Sequence, residues 1–351
     1  MDIKKEKFGS VNGVEVDLYI FKNDNGMEIK ISNYGGIITS ISTPNKQGEV
    51  GEITMGFDNV EDYVKGCPYF GCIVGRIGNR IAKGKFELDG KVYDLAINNF
   101  TNHLHGGNVG FDKIVWDAEL IQDSDSVGIE LKYLSKDGEE NYPGNLSVTL
   151  TYRLTSENEL KIDYFATTDQ ATVCNLTNHA YFNLKDGGES SVLDHELAIN
   201  ADEFLPVNAD SIPLGTILAV KDTPFDFNKS ITIGERINND DEQLKNGIGY
   251  DHNYIVNGKS GEMRFAAKVF EASSGRVMEV YTDQPGIQLY SGNYLDGSLT
   301  GRNGAIYKHR NALCLETQHY PDSPNQSNFP SVVLRPGEKY ETSTIYKFKV
   351  I

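Results

Sequence analysis

Apolar residues recur at every second position through most of this chain, and that period makes the strand its building unit. Phe86 and Leu88 alternate with polar residues, Asp89-Gly90 supplies a two-residue hairpin turn, and Val92 resumes the alternation. Trp116, Ala118 and Leu120 alternate with Asp117 and Glu119, and Ile129, Leu131 and Tyr133 with Glu130 and Lys132. Val148, Leu150, Tyr152 and Leu154 follow the turn signal Pro143-Gly144-Asn145. A second turn at Thr155-Ser156-Glu157-Asn158 leads to Leu160, Ile162 and Tyr164. Met263, Phe265, Ala267 and Val269 mark another strand, and Tyr340, Thr342, Thr344, Tyr346 and Phe348 the last. One apolar and one wet face per strand is the antiparallel signature. Gly 35, Tyr 19 and Phe 16 against a single Trp suit strands and turns better than helices.

Helical signals are few and short. Asp58 is positioned to cap a turn through Val60–Tyr63, and Asp240 one through Glu242–Lys245 that Gly247 stops. There is no strand–helix–strand rhythm and no GxGxxG, which argues against a dinucleotide-binding fold. No composition break marks a linker and no fixed-period repeat appears. The expectation is an all-β protein: one large antiparallel β-sandwich with few short helices, residues 1–351 forming a single domain.

The formal charge of −17 argues against nucleic acid and against an anionic membrane surface as partners. Met1-Asp2-Ile3-Lys4-Lys5-Glu6-Lys7 is not followed by the apolar core of a signal peptide, and no run is apolar and long enough to span a membrane. The expected location is cytoplasmic, where Cys67, Cys72, Cys174 and Cys314 would be reduced thiols. Cys67 and Cys72 lack CxxC spacing.

Five stretches carry more polarity than a β core requires. Asn175-Leu-Thr-Asn-His-Ala-Tyr-Phe-Asn-Leu184 gathers neutral donors and acceptors around His179. A neutral imidazole gives or takes a proton near pH 7, and amides and a phenol can position a hydroxyl-rich ligand. The plainer alternative is a polar turn with a structural histidine. The second and third stretches are Gly75-Arg76-Ile77-Gly78-Asn79-Arg80-Ile81 and Asn102-His103-Leu104-His105-Gly106-Gly107. The fourth is Gly249-Tyr250-Asp251-His252-Asn253, and the fifth runs from Leu313 to Pro321. In the fifth, Ala312, Cys314 and Glu316 share one strand face, with Leu313 and Leu315 on the other. Glu316, expected near the end of that strand, is either a desolvated base of raised pKa or half of a structural ion pair. His103 and His105 either join a metal set with His179 and Glu316, or divide between ligand and core. Arg80 reads as a sugar or carboxylate fork or as a surface ion pair. Asp251 reads as an acceptor for adjacent hydroxyls or as an Asx-turn.

Taken together and in this order, with Asn33-Tyr34-Gly35-Gly36 before them, Gln284-Pro-Gly-Ile-Gln288 between the last two and Leu315-Glu316-Thr317-Gln318 closing the set, these stretches resemble the aldose 1-epimerase (galactose mutarotase) family. The resemblance runs from about Ser32 to Phe348. It implies a β-supersandwich with an open cleft for a monosaccharide, and no cofactor or metal. It carries over Glu316 as general base and His179 as general acid. Asn79, Arg80, His105, Tyr181, Asp251 and Gln288 carry over as sugar contacts. The implied chemistry needs only proton transfers: the C1 hydroxyl loses a proton, the ring oxygen gains one, the C1–C2 bond turns, and the ring closes on the other face.

Three rivals are set against this. A silent sugar-binding member would lack the acid or the base, and both are present. A metal-dependent isomerase or dioxygenase would draw on His103, His105, His179 and Glu316. A hexose-phosphate mutarotase would show a Lys/Arg cluster near the motifs, which the chain lacks. Monomer and homodimer, and galactose, glucose or another aldose as substrate, stay open at this level.

Overall fold

A computed structural model describes residues 1–351. Its backbone is a nine-stranded sheet in which every pairing is antiparallel. Its order is Asp117–Gln122, Ser126–Ser135, Leu146–Thr155, Glu159–Thr168, Tyr340–Val350, Arg276–Thr282, Arg264–Glu271, Glu196–Ile199 and Ile231–Thr232. The C-terminal strand therefore sits in the middle. It joins a meander from the first half of the chain to strands of the second. The alternation read from the sequence appears as burial: Val148, Leu150, Tyr152, Leu154, Leu160, Ile162 and Tyr164 all lie in the core.

Five two-stranded ladders and two five-stranded sheets complete the architecture. One is the N-terminal meander from Asp2–Val11 to Val50–Glu52. The other runs Leu218–Ala219, Glu203–Phe204, Asp251–Ile255, Gly286–Tyr290, Cys314–Gln318 and carries part of the site described below. One apolar cluster of 55 buried residues takes side chains from all three sheets, among them Ile31, Leu150 and Leu315. Leu313 and Leu315 enter it, whereas Ala312 and Cys314 turn to a second cluster with Tyr181 and Tyr290. Tyr346 Oη donates to the Leu315 carbonyl at 2.9 Å, and the Thr317 and Thr344 hydroxyls bond each other. These bonds tie the site sheet to the central strand. No helix is long and apolar enough to cross a membrane.

Several local expectations are corrected. The first short helix, Val60–Val64, is capped by Asn59, whose side chain accepts from Asp62 N. Asp58 instead accepts from Asn303 N. The second, Glu242–Gly247, is capped by Asp241, which accepts from Gln243 N and Leu244 N. Asp240 pairs with Lys245, and the helix ends on Ile248 in the left-handed region at φ 57°. Met263 is exposed outside its strand, and a bulge between Phe265 and Ala267 buries Ala266 and Ala267 together. Leu120 lies on an edge strand with its side chain exposed. Glu316 sits at the centre of Cys314–Gln318 rather than at its end.

Candidate active site

The ten residues from Asn175 to Leu184 are all buried, but most of their polarity serves the backbone. Thr177 and Asn178 pair with Val74 and Ile73. Asn178 Nδ2 donates to the Gly71 carbonyl at 2.8 Å, and its Oδ1 accepts from Ala180 N. Asn175 bonds both backbone groups of His319, and Asn183 donates to the carbonyls of Ser190 and Asn311. These amides hold the turn rigid. The side chains of the stretch that face a cavity are His179 and Tyr181.

That cavity has a volume of about 270 Å³. It lies at the small end of ligand pockets, which run to roughly 300–1,000 Å³. Its walls include Asn79, Arg80, His105, His179, Tyr181, Asp251 and Glu316, drawn from all five polar stretches. His179 Nε2 lies 3.6 Å from Glu316 Oε1. The imidazole stacks on Tyr181 at 5.1 Å between centroids and meets His105 edge-on at 5.2 Å. Glu316 is 2% exposed, and its Oε2 has no hydrogen-bond partner.

The two adjacent histidines divide their work. His103 Nδ1 bonds the Ala96 carbonyl at 2.8 Å and its Nε2 meets the Tyr142 hydroxyl at 2.6 Å, which makes it a core residue. His105 faces the cavity. Its backbone N donates to the Asn79 carbonyl, and Asn79 N donates to its Nδ1 at 3.1 Å. Both residues hold positive φ, 50° and 62°, a conformation uncommon outside glycine. Gly106 beside them is required: a Cβ there would stand 1.7 Å from the Gly75 carbonyl oxygen. The two arginines of the second stretch divide similarly. Arg76 is buried and spends its guanidinium on Ser135, Lys136, Pro143 and Thr172. Arg80 reaches the cavity, its Nε donating to Asn99 Oδ1 at 3.1 Å and its Nη1 lying 3.7 Å from Asp251 Oδ2. Asp251 is in a strand, not a turn, and accepts from Gln288 Nε2 at 2.7 Å. Gln288 is not in the cavity wall; it stands behind Asp251.

Burial dominates the electrostatics. It pushes the Glu316 carboxyl well above its ordinary range; the Asp251 charge adds to this and Arg80 opposes it. Burial also raises Asp251, again against Arg80. It lowers His179 to about 4 and His105 well below its usual value. For the close pair His179–Glu316 both directions favour the uncharged form, in which the two groups share one proton.

His105, His179 and Glu316 bring their donor atoms within 4.8 Å of one another. The donor chemistry does not suit a cation. His105 Nδ1 accepts a peptide N–H, so in the neutral ring Nε2 carries the hydrogen and donates rather than ligates.

Tyr69, Asn99, Phe100, Tyr290 and Tyr294 also line the cavity and were not read from the sequence. Tyr290 was within reach of the strand period, since it lies two residues from Gln288 and opposite Asp251. The others sit in irregular segments, where no period points a side chain.

Residues 17–347 match the family model described as "Aldose 1-epimerase". The chain is 47% identical over 324 residues to a galactose mutarotase of Bos taurus, covering 92% of each. It is 37% identical over 339 residues to an aldose 1-epimerase of Escherichia coli (strain K12), covering 96% of each. The crystal structure of a galactose 1-epimerase from Lactobacillus acidophilus NCFM superposes with a TM-score of 0.87 at 30% identity, over 99% of each chain. The chain belongs to the aldose 1-epimerase family, and it is an enzyme of the isomerase class.

Proposed function

We propose that this protein interconverts the α and β anomers of free hexoses, D-galactose and D-glucose among them, with Glu316 as general base and His179 as general acid. The observation that carries the reading is the buried His179–Glu316 pair, 3.6 Å apart in the wall of a monosaccharide-sized cavity. The proton of the uncharged pair first passes from Glu316 to His179 Nε2; Glu316 then takes the C1 hydroxyl proton while His179 gives one to the ring oxygen. The open aldehyde turns about C1–C2, and on closure the two groups exchange roles. One proton serves the pair throughout, so no external donor is needed. Each positioned transfer typically contributes roughly 10²–10⁴ in rate.

Arg80, Asn79, His105, Tyr181 and Asp251 hold the sugar in this reading. His105 donates through Nε2, and Gln288 acts by fixing Asp251. Arg80 and His105 also stabilise charge developing on an oxygen during the open-chain stage. No metal or cofactor takes part. The whole chain works as one domain, in the cytoplasm, as a monomer or homodimer.

Polarimetry of freshly dissolved α-D-galactose and α-D-glucose tests the reading. The protein, in chelator, should speed the approach to anomeric equilibrium for at least one of them. A rate equal to buffer alone for both would overturn it.

A further inference from the structure

The imidazole of His179 is held on both sides by a single strand. Residues two apart on a strand share a face and stand roughly 6.8 Å apart. On Cys314–Gln318 those residues are Cys314 and Glu316, and the ring lies between them. Nε2 lies 3.6 Å from Glu316 Oε1, and Nδ1 lies 3.6 Å from Cys314 Sγ. Cys314 is fully buried, and no carboxylate comes within ion-pair distance of Nδ1. Burial pushes its thiol well above the usual range, with the nearby Glu316 charge adding to this, so the group stays an S–H.

On the basis of the function proposed above, we infer that Cys314 is a positioning residue, whose thiol sets the tautomer and orientation of His179 so that Nε2 is the nitrogen that exchanges a proton with the sugar. A thiol is both a weak donor and a weak acceptor. Nδ1 keeps its hydrogen, which the Cys314 sulfur accepts, both when the ring is an imidazolium and after Nε2 has given its proton up. The ring passes through both states in each anomeric exchange, and one partner serves both without itself ionising. A carboxylate in that place would favour the imidazolium alone and make it a poorer acid. His105 is held the opposite way: a peptide N–H occupies its Nδ1 and leaves Nε2–H for the cavity. The cavity thus meets two imidazoles in opposite tautomers, His105 offering an N–H fixed by backbone and His179 a lone pair fixed by sulfur.

The test compares Cys314→Ser, which keeps an acceptor for Nδ1–H, with Cys314→Val, which fills the space without one. Turnover by polarimetry should fall about five- to tenfold in the valine variant, the scale of one lost weak hydrogen bond, with KM unchanged. Serine should restore most of it. Valine turnover equal to wild type, or serine falling as far as valine, would overturn the inference. The same tautomer can be read in the wild-type protein by ¹⁵N NMR of labelled histidines, with His179 assigned by its loss in His179→Gln. The hydrogen of the neutral ring should be on Nδ1, and a hydrogen on Nε2 would overturn the inference without any cysteine variant. A wild-type protein that does not speed mutarotation would instead refute the function on which the inference rests, and the NMR result would still report on the tautomer.

Discussion

Glu316→Gln is the most discriminating substitution in this protein. The side chain is 2% exposed, and glutamine has its shape, so the packing around Tyr181, Cys314 and His179 is retained. What disappears is the ability to accept the C1 hydroxyl proton. General base catalysis contributes roughly 10²–10⁴, and the transition state should lose about 2.7–5.4 kcal/mol at about 1.36 kcal/mol per decade. The assay is polarimetry of α-D-galactose near neutral pH, with the spontaneous rate in buffer subtracted. Affinity for the sugar, read by calorimetry, should change only a few-fold, because Arg80, His105 and Asp251 are untouched. Stability separates lost chemistry from lost fold. The carboxyl is raised in the folded state, so above its ordinary value the unfolded chain holds fewer protons than the folded one. Stability is therefore lost as pH rises toward the folded value, and glutamine removes that loss. The variant should be no less stable than wild type near pH 8. If it keeps more than about a tenth of wild-type turnover, Glu316 is not the base.

Arg80→Ala should lower turnover as well as raise KM; a rise in KM alone would reduce Arg80 to a binding group. Gly106→Ala forces a Cβ against the Gly75 carbonyl at φ +87° and should cost more than about 1 kcal/mol in urea melts, with a loss of activity as His105 shifts. Wild-type stability in that variant would contradict the steric argument. Prolonged dialysis against chelator should leave activity unchanged, because His105 presents a hydrogen to the cavity; activity that depended on an added divalent cation would refute that tautomer. His179, His195 and His319 are lowered by burial to about 4, and His252 to about 3, from an ordinary 6.5. Below 6.5 the unfolded chain binds protons that the folded chain refuses, so the melting temperature should drop between about pH 6.5 and 4, and a flat profile there would refute the neutral-histidine assignment.

The sheet architecture was legible because a half-buried strand writes its period directly into the chain. The same rule placed Glu316 and Cys314 on one face and Leu313 and Leu315 on the other, and the structure divides them in that way. The rule failed where the backbone departs from regular pleating. The bulge beside Ala266 put Phe265 out of register, and each helix cap moved by one residue, Asp58 being bonded to the distant Asn303 and Asp240 paired with Lys245. The polar stretches gave the right neighbourhoods but could not apportion roles within them. Arg76 and Arg80, or His103 and His105, differ only in which of two residues a distant segment satisfies. Arg76 is satisfied by the 135–143 segment and Thr172, and His103 by Ala96 and Tyr142. Such long-range satisfaction leaves no local trace.

The depth of the pair follows from the reaction it is proposed to serve. Anomers differ little in energy, so the site must work in both directions and neither group can be a permanent acid or base. A solvated carboxylate and a solvated imidazole differ by about two pKa units and would stay biased toward one arrangement. Beside these groups Arg80 and Asp251 form a pair of opposite sign, whose charges act on Glu316 in opposite directions. Burial is thus left as the leading influence, and it disfavours both charged forms together, the carboxylate and the imidazolium. The proton they share then rests on Glu316, the reverse of the solution bias, and passes to His179 before the sugar's C1–OH gives up its own. Exposing the pair by widening the cavity at Tyr69 or Tyr181, for example with Tyr181→Ala, should restore the solution bias and slow exchange even though both reacting groups remain.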